Sequence, residues 1–365
     1  MNADTPILEI KNLQVKRGGV NVIDISSLVV SEGEVLSLIG PNGAGKSTLL
    51  LTLARLLKTS KGEIAFRGKT IDSNHSVLAY RRNLSMVFQE SLLFDTTVFE
   101  NIASGLNLRR MNKNEIKNIV EEYAERFGVP HLIDRSARKL SGGEAQRTSL
   151  ARAFATKPEI VFLDEPFSSL DPPTRESLMG DLERILHETG TTTIMATHDQ
   201  VEALRLSDRI AVINQGKIAQ IGTPEQVMNQ PVDEFVASFV GMETVFTGPV
   251  IKLYDSTFVV SVSDRDVEAV GAVTIGETVV CFIRPENVTL SIATFGQTTS
   301  ARNVFPGKII KITPMGLFHK VHLDCGFSLV AYVTHLSFEN LSLREGGDII
   351  ASFKATAVHV IRRAK

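Results

Sequence analysis

The chain has 365 residues, of which 43% are hydrophobic, and its formal net charge is −2. This length predicts two domains with sizeable cores, and the balanced charge argues against a basic surface that holds nucleic acid by its phosphates. The two cysteines, Cys281 and Cys325, suit a reducing cytosol and are too few for a disulfide scaffold. No apolar run approaches the ~20 residues that span a bilayer, so work at a membrane would require a partner.

The first part of the chain alternates short apolar strands with helices, which is typical of an α/β fold. Strands are predicted over residues 8–15, 20–30 and 35–39, and leucines at helical spacing follow between 49 and 57. Residues from about 76 to 140 are richer in helix and resemble an inserted helical subdomain. Further buried strands are predicted over 160–163 and 192–196, and a hairpin over 209–221 turns at Asn214-Gln215-Gly216.

After about residue 240 the pattern changes to short β segments. The sequence therefore predicts a first domain over 1–240 and an all-β domain over 241–365, a small barrel of two related halves. The strands expected in it cover residues 245–250, 257–262, 278–283, 288–292, 307–312, 317–323, 328–333, 348–353 and 356–361.

The segment after the third strand fits the P-loop pattern and lies between a strand and a helix, as phosphate binding requires. Its glycines let the backbone wrap the phosphates, Lys46 would reach the β- and γ-phosphates, and the Ser47 hydroxyl would ligate Mg²⁺. A P-loop alone does not separate kinases, GTPases and ATPases. The predicted nucleotide contacts here are Gly40, Pro41, Asn42, Gly43, Ala44, Gly45, Lys46, Ser47 and Thr48.

A second phosphate-binding element is predicted at residues 140–147, Leu-Ser-Gly-Gly-Glu-Ala-Gln-Arg. Its bare backbone N–H groups and serine hydroxyl fall at an expected helix N-terminus, which is an anion-binding arrangement. One ATP needs one cradle, which suggests that the second serves the ATP of another copy. Farther on, Asp164 ends an apolar strand and could hold Mg²⁺, while Glu165 could act as a general base.

These motifs resemble those of the ATP-binding cassette (ABC) ATPases. The P-loop, Leu-Ser-Gly-Gly, Leu-Asp-Glu-Pro at 163–166, Ser-Ser-Leu-Asp at 168–171 and a strand ending at His198 occur in the family's order. The likeness covers about residues 6–235. It implies an α/β P-loop NTPase cassette followed by an OB-like barrel, and two chains that close head-to-tail on two ATPs with Mg²⁺.

The resemblance also assigns site residues. Ser141, Gly142 and Gly143 of one copy would bracket the γ-phosphate held by the P-loop of the other, and Asp171 would bridge the dimer. Gln89 would touch Mg²⁺ and the attacking water, and His198 would contact the γ-phosphate.

Two positions depart from the family's pattern. Arg17 stands where the family has an aromatic residue stacked on adenine; its guanidinium can stack on the base, or it is a solvated loop residue. Glu144 stands where many relatives have Gln, and a carboxylate near a helix N-terminus is electrostatically acceptable, so function should be retained.

The family's helical insertions receive coupling helices of membrane subunits, and residues 89–105 resemble the connecting loop. Leu92, Leu93, Phe94 and Phe99 could form an apolar docking groove or belong to the subdomain core. The implied assembly is a homodimer with two transmembrane permease subunits and, through them, an extracytoplasmic substrate-binding protein, located peripherally at the cytoplasmic face of the membrane. A soluble ABC ATPase without a transport role is the weaker alternative, because no sustained heptads interrupt the cassette.

The tail resembles the small oxyanion-binding barrels called molbindins, on the segments 300–303 (Ser-Ala-Arg-Asn) and 351–358. That resemblance implies import of molybdate or tungstate, with an oxyanion held by donors from Ser300, Arg302, Lys354 and Thr356. The alternative is that these residues only begin a strand and face solvent. Similar tails occur in importers for sulfate, iron(III), polyamines and sugars, so the cargo stays open.

Overall fold

The structure is a computed structural model that describes residues 6–72, 74–292 and 300–362. The chain forms two compact units that divide between Pro224 and Glu225. This division comes before the boundary at 240 expected from the sequence. The difference is the segment 225–240, which contains two short helices and belongs to the second unit. Arg284 holds this segment by donating to the carbonyl oxygens of Met228 (2.5 Å) and Val240 (3.0 Å).

The first unit is an α/β structure with two sheets. Its strands are β1 (Pro6–Arg17), β2 (Val20–Ser31), β3 (Val35–Ile39), β4 (Lys61–Phe66), β5 (Lys69–Thr70), β6 (Leu84–Val87), β7 (Ile160–Asp164), β8 (Thr192–Ala196), β9 (Arg209–Asn214) and β10 (Lys217–Gly222). Its helices are α1 (Lys46–Leu53), α2 (Asn74–Arg81), α3 (Val98–Leu108), α4 (Lys113–Arg126), α5 (Gly142–Ala155), α6 (Pro172–Thr189) and α7 (Gln200–Leu206).

The larger sheet has the order β10-β9-β3-β8-β7-β6, parallel except for the hairpin β9-β10. All residues of β3, β7 and β8 are buried, which explains their largely apolar sequence, because helices cover both faces of a parallel sheet. The carboxyl ends of these three strands share one edge, where ligands of open α/β sheets bind. The smaller antiparallel sheet has the order β2-β1-β4-β5.

The helical insertion is built from α3, α4 and α5 around a common core that includes Phe127 and Phe154, whose rings lie 5.7 Å apart. Strand β6 lies within residues 76–140, the segment expected to be richer in helix, and it pairs with β7 in the parallel sheet. Residues Phe88 to Thr97 therefore run from the sheet to the helices.

The second unit is largely β-structure. Its elements are α8 (Pro224–Asn229), α9 (Glu234–Phe239), β11 (Thr244–Leu253), β12 (Thr257–Val262), β13 (Arg265–Val270), β14 (Thr278–Ile283), β15 (Thr289–Ser291), β16 (Asn303–Pro314), β17 (Phe318–Asp324), β18 (Ser328–Thr334), α10 (His335–Asn340), β19 (Asp348–Phe353) and β20 (Val358–Arg362). The strands form two five-stranded sheets of order β13-β12-β11-β14-β20 and β15-β19-β16-β17-β18. Both contribute to one core in which the rings of Phe246, Phe305 and Phe327 meet edge to face. This arrangement confirms the α/β unit followed by an all-β unit.

Across the described ranges, no helix combines the length and the apolar character needed to cross a membrane.

Candidate active site

The glycine-rich loop between β3 and α1 can form only because glycine stands at its tightest points. Gly40 has φ +152°, and a Cβ there would lie 2.2 Å from the carbonyl oxygen of Ile213. Gly45 has φ +106°, and a Cβ there would lie 2.8 Å from the side chain of Ile23. A side chain at either position would force the loop out of its wrapped path.

Lys46 and Ser47 begin α1 and face the end of β7. The Lys46 ammonium is almost completely buried and donates to the carbonyl oxygens of Gly40 (2.8 Å) and Pro41 (3.3 Å). Burial lowers the pKa of Lys46, and the nearby charges of Glu165 and Asp164 oppose that shift. These contacts hold a cation at the mouth of the loop, where a polyphosphate would lie.

The Ser47 hydroxyl donates to the Asp164 carboxylate at 2.9 Å. Asp164 is itself buried, and desolvation raises the pKa of its carboxyl above the usual value, with the Ser47 hydrogen bond opposing the shift. One hydroxyl oxygen and one carboxylate oxygen thus meet behind the loop. Oxygen donors of this kind suit Mg²⁺, which also keeps water and phosphate ligands.

Glu165 has a strained backbone, with φ +49°, a conformation that costs about 1–3 kcal/mol for such a residue. Its N–H donates to the Ala196 carbonyl oxygen at 2.9 Å, and its carboxylate accepts a hydrogen bond from His198 Nδ1 at 2.6 Å. The Glu165 side chain is 11% exposed and His198 is 56% exposed. The strain and the histidine together aim one carboxylate into the cavity above the loop.

That cavity has a volume of about 440 Å³, and it brings together most of the predicted catalytic and P-loop residues. Its lining comprises Asn42, Gly43, Ala44, Gly45, Lys46, Ser47, Thr48, Gln89, Glu165 and His198.

Residues 141–143 lie at the N-terminus of α5, as predicted. Ser141 caps the helix by accepting from Glu144 N (3.3 Å), and Glu144 returns the bond by accepting from Ser141 N (2.7 Å). This reciprocal capping box explains why Glu is accommodated at position 144. The hydrogen bond from Ser141 N is the main reason that the pKa of Glu144 is lowered.

A second cavity, of about 670 Å³, lies over this helix end. Ser141, Gly142, Gly143 and Asp171 all line it, and Asp171 is the N-cap of α6. The two cavities share no lining residue. Within one copy, the P-loop and residues 141–143 of the second phosphate-binding element therefore face different spaces, which we call the P-loop cavity and the signature cavity.

Arg17 lines neither of these two cavities. It is exposed at the end of β1, beside the turn at Gly18 and Gly19. Its predicted contact with adenine stays a prediction.

The segment expected to dock a membrane partner is divided between surface and core. Leu92 and Phe94 are more than half exposed and line a cleft of about 660 Å³. Leu93 is half-buried, and Phe99 packs against the helical core. Arg152 of α5 shapes the cleft: it donates to the carbonyl oxygen of Leu92 at 3.0 Å and lies over the Phe94 ring at 5.7 Å.

The four predicted oxyanion donors are all exposed in the single chain: Ser300, Arg302, Lys354 and Thr356. Arg302 and Lys354 occupy neighbouring positions, because each is adjacent in the chain to a member of the antiparallel pair Asn303–Phe353, where β16 meets β19. Asn303 itself is buried and holds the backbone of Glu268 through two hydrogen bonds, of 2.7 and 2.8 Å. Within one copy, all four of these side chains therefore face solvent.

Sequence reasoning missed a polar network behind His198 that joins Arg175 of α6 to Asp199 at 3.1 Å. It includes Thr197 and the buried Glu202. Thr197, Asp199 and Glu202 are near neighbours in the chain, but Arg175 lies on a different helix, and the four residues form no motif of their own.

Comparison with known proteins supports the resemblance along most of the chain. The ABC transporter family matches residues 23–168, and the TOBE domain family matches residues 299–360. The molybdate/tungstate import ATP-binding protein of Pyrococcus horikoshii is 38% identical over 340 residues, 92% of this chain and 94% of that protein. The spermidine/putrescine import ATP-binding protein of Borreliella afzelii is 38% identical over 79% of this chain and 82% of its own length.

A trehalose/maltose import ATP-binding protein from Thermococcus litoralis is 34% identical and covers 94% of each chain. Among solved structures, a component of the cbiONQ ABC transporter complex from Clostridium perfringens has a TM-score of 0.58 at 31% identity, covering 62% of this chain and 92% of its own. A dimeric ATP-binding cassette bound to ADP and Pi has a TM-score of 0.55 at 28% identity, covering 60% of this chain and 98% of its own.

Proposed function

Because this chain belongs to the ABC transporter family, among its import ATP-binding subunits, we propose that it couples ATP hydrolysis to uptake of an oxyanion, either molybdate or tungstate. The separation of its two phosphate-facing cavities carries the mechanistic part of the proposal. Each copy presents a P-loop cavity and a signature cavity with no residue in common. Two copies placed head-to-tail would combine them into two complete sites.

In the composite site, residues 40–48 of one copy hold the phosphates, and Ser141, Gly142 and Gly143 of the other close over the γ-phosphate. Helix α5 supports this role, since its first residues, Gly142 and Gly143, line the second cavity and a helix N-terminus favours anions. Asp171, which faces the same cavity, would reach the other copy. Arg17 would stack its guanidinium on the base.

Glu165 is the proposed general base. Its carboxylate would take a proton from water as the water oxygen bonds to the γ-phosphorus and the bond to the β-phosphate oxygen breaks, releasing ADP and phosphate. Such a base contributes about 100- to 10,000-fold to the rate. The 2.6 Å contact with His198 supports this role by holding the carboxylate in the cavity, and His198 would also contact the γ-phosphate.

Ser47, Asp164 and Gln89 would hold Mg²⁺. Bound there, the ion would supply positive charge to neutralise the phosphate oxygens during hydrolysis. The described part of the chain has no cluster of three or more His, Cys, Asp or Glu side chains for a metal. A site with few protein ligands suits Mg²⁺, which is usually bound by one or two carboxylates together with substrate phosphates.

The cleft at Leu92 and Phe94 is the proposed contact that couples ATP hydrolysis to the membrane subunits. Two exposed apolar side chains over a cleft fit a short amphipathic helix of a transmembrane permease subunit. In that assembly the chain is a homodimer at the cytoplasmic face of the membrane, joined to two permease subunits and, through them, to an extracytoplasmic substrate-binding protein.

The choice of cargo rests on the second unit. The molybdate/tungstate relative matches this chain across both units at 38% identity. Ser300, Arg302, Lys354 and Thr356 are exposed, and they would form a cage for a tetrahedral oxyanion if a second copy covered them. Bound oxyanion would then hold the cassettes apart and slow further uptake. A polyamine or a sugar is the second candidate cargo, because relatives named for those substrates match at 38% and 34% identity.

The cargo proposal is tested by titration calorimetry of the full chain with tungstate, molybdate, sulfate and spermidine. Tungstate and molybdate should bind, and Arg302→Ala and Lys354→Ala should each abolish the heat while Arg344→Ala, another exposed arginine of the same unit, keeps it. The absence of oxyanion binding, or equal binding by all variants, would reject the proposed oxyanion site. Binding of spermidine in place of the oxyanions would transfer the proposal to the second candidate.

A further inference from the structure

The backbone that carries His198 is fixed from several sides. The Thr197 hydroxyl donates to the buried Glu202 carboxylate at 2.5 Å and accepts from Asp199 N at 3.0 Å. The Thr197 N–H donates to the carbonyl oxygen of Leu38 at 3.1 Å. His198 lies in the middle of this bonded segment, so a shift of its neighbours would change where its ring meets Glu165.

Arg175 connects that segment to α6. Its Nη1 donates to Asp199 Oδ2 at 3.1 Å, while Asp199 Oδ1 caps α7 by accepting from Val201 N at 2.8 Å. In the other direction, Arg175 N donates to the Asp171 carbonyl oxygen at 2.9 Å. A continuous set of contacts therefore joins Asp171, in the signature cavity, to His198, in the P-loop cavity.

Stability alone does not explain the ion pair between Arg175 and Asp199. Arg175 Nε is buried without a hydrogen-bond partner among the described residues, and an unsatisfied buried donor costs free energy. An apolar side chain of similar volume commonly replaces a partly buried ion pair without loss of stability. The geometry is better explained by a need to hold Asp199 in one position relative to the start of α6.

We propose that Arg175 and Asp199 are positioning residues that make hydrolysis in one copy depend on the contact of its Asp171 with the second copy. This inference rests on the proposed function, in which Asp171 lies at the dimer interface and His198 faces the γ-phosphate. Movement of Asp171 on dimer closure shifts the first turn of α6. Arg175 passes that shift to Asp199, and the His198–Glu165 contact reaches its working geometry only then.

The test compares steady-state ATP hydrolysis by full-length Arg175→Ala, Asp199→Asn and the double variant. Asn keeps the helix cap of α7, so Asp199→Asn removes only the charge opposite Arg175. The matched control is Arg205→Ala. Arg205 has the same exposed fraction, 32%, and also pairs with α6, through Glu176 and Glu183, but it has no described contact with the His198 segment.

Each single variant should lower kcat by roughly 10- to 100-fold, the range expected when a reacting group is displaced by up to an ångström. The ATP KM should stay unchanged, and the Hill coefficient for ATP should fall toward that of independent sites. The double variant should be no slower than the slower single variant, and Arg175→Lys should recover part of the rate. Arg205→Ala should match the unsubstituted protein.

The inference is overturned if Arg175→Ala matches Arg205→Ala, if the two substitutions act additively, or if kcat falls without loss of cooperativity. If Arg175→Ala does not fold, as judged by circular dichroism, Asp199→Asn carries the same comparison. A failure of the proposed function looks different, because the unsubstituted protein itself would then hydrolyse ATP without cooperativity.

Discussion

Gly142→Ala should make the protein more stable and far less active. Gly142 is the first residue of α5, its φ lies outside the left-handed region, and a Cβ there would meet no atom within 4 Å in the same copy. A glycine-to-alanine change at such a position stabilises a protein by about 0.4–1 kcal/mol, mainly by restricting the unfolded chain. Nothing within one copy therefore requires glycine at position 142.

The loss of activity comes from the other copy. The open space over Gly142 is the space that the γ-phosphate of the partner's ATP would occupy. A methyl group there holds the two copies apart, and a misplacement of about 1 Å costs roughly 100-fold in rate. The matched control is Gly180→Ala inside α6, where the new Cβ would lie at an ordinary 3.6 Å from Arg205 and the expected gain is about 1 kcal/mol.

Calorimetric unfolding and ATP hydrolysis are measured on both variants. Both should raise the melting temperature of the first unit by a few degrees, about 2–4 °C for 1 kcal/mol in a unit of this size. Only Gly142→Ala should lose at least about 100-fold of the ATPase rate. An active Gly142→Ala protein would refute the reasoning, because the bare helix end would then have no task in the dimer.

Three further predictions concern other parts of the site. Glu144→Ala should destabilise the first unit by about 1 kcal/mol in denaturant unfolding, whereas Glu144→Gln should not, and equal stability of the two variants would contradict the capping role. Because the pKa of Glu144 is lowered, the stabilisation by its carboxylate is present above the ordinary pKa of 4.5 and is lost as pH falls through the lowered pKa. Since the pKa of Asp164 is raised above 3.8, protons should displace Mg²⁺ at a higher pH than they would from an ordinary aspartate. Titrating the ATPase activity with Mg²⁺ at several pH values between 4 and 7 checks this. An Mg²⁺ affinity that does not change with pH over that interval would contradict it. Phe94→Ala should leave the ATPase of the isolated protein unchanged and reduce its stimulation by the permease subunits in vesicles, while the exposed control Ile275→Ala does not; unchanged stimulation would remove the cleft from the proposed assembly.

The parts of the fold that the sequence predicts best are those with a single dominant pattern. Strands β3, β7 and β8 are short, mostly apolar runs because both of their faces are covered. The hairpin β9-β10 is confirmed as well, since Gln215 and Gly216 carry the positive φ values of a two-residue turn.

Strands with weaker patterns were missed. Most residues of β4 are exposed or half-buried, and this strand gains its place by pairing with β1, fifty residues earlier. Strand β13 follows a two-residue turn at Ser263 and Asp264, both with positive φ. That pair lacks the Asn-Gly or Asp-Gly sequence by which such turns are recognised.

In the candidate site, too, some features follow from local sequence and others arise only from packing. Residues within one motif, such as Lys46 and Ser47, could be assigned from local sequence because the P-loop builds its own geometry. The contact between Glu165 and His198 depends on two strands becoming neighbours. The partial exposure of Phe99 and the inward position of Asn303 depend on packing that no local pattern encodes.

The central claim is that each copy carries two incomplete halves of an ATP site, so hydrolysis requires two copies. It is tested most directly by sedimentation velocity of full-length Glu165→Gln, with and without ATP and Mg²⁺. Removing the general base should leave nucleotide binding intact, so the protein should sediment as a monomer alone and as a stable dimer with ATP. In parallel, the ATPase rate per chain of the unsubstituted protein should fall on dilution. A variant that binds ATP and stays monomeric, together with a rate per chain independent of concentration, would contradict the account.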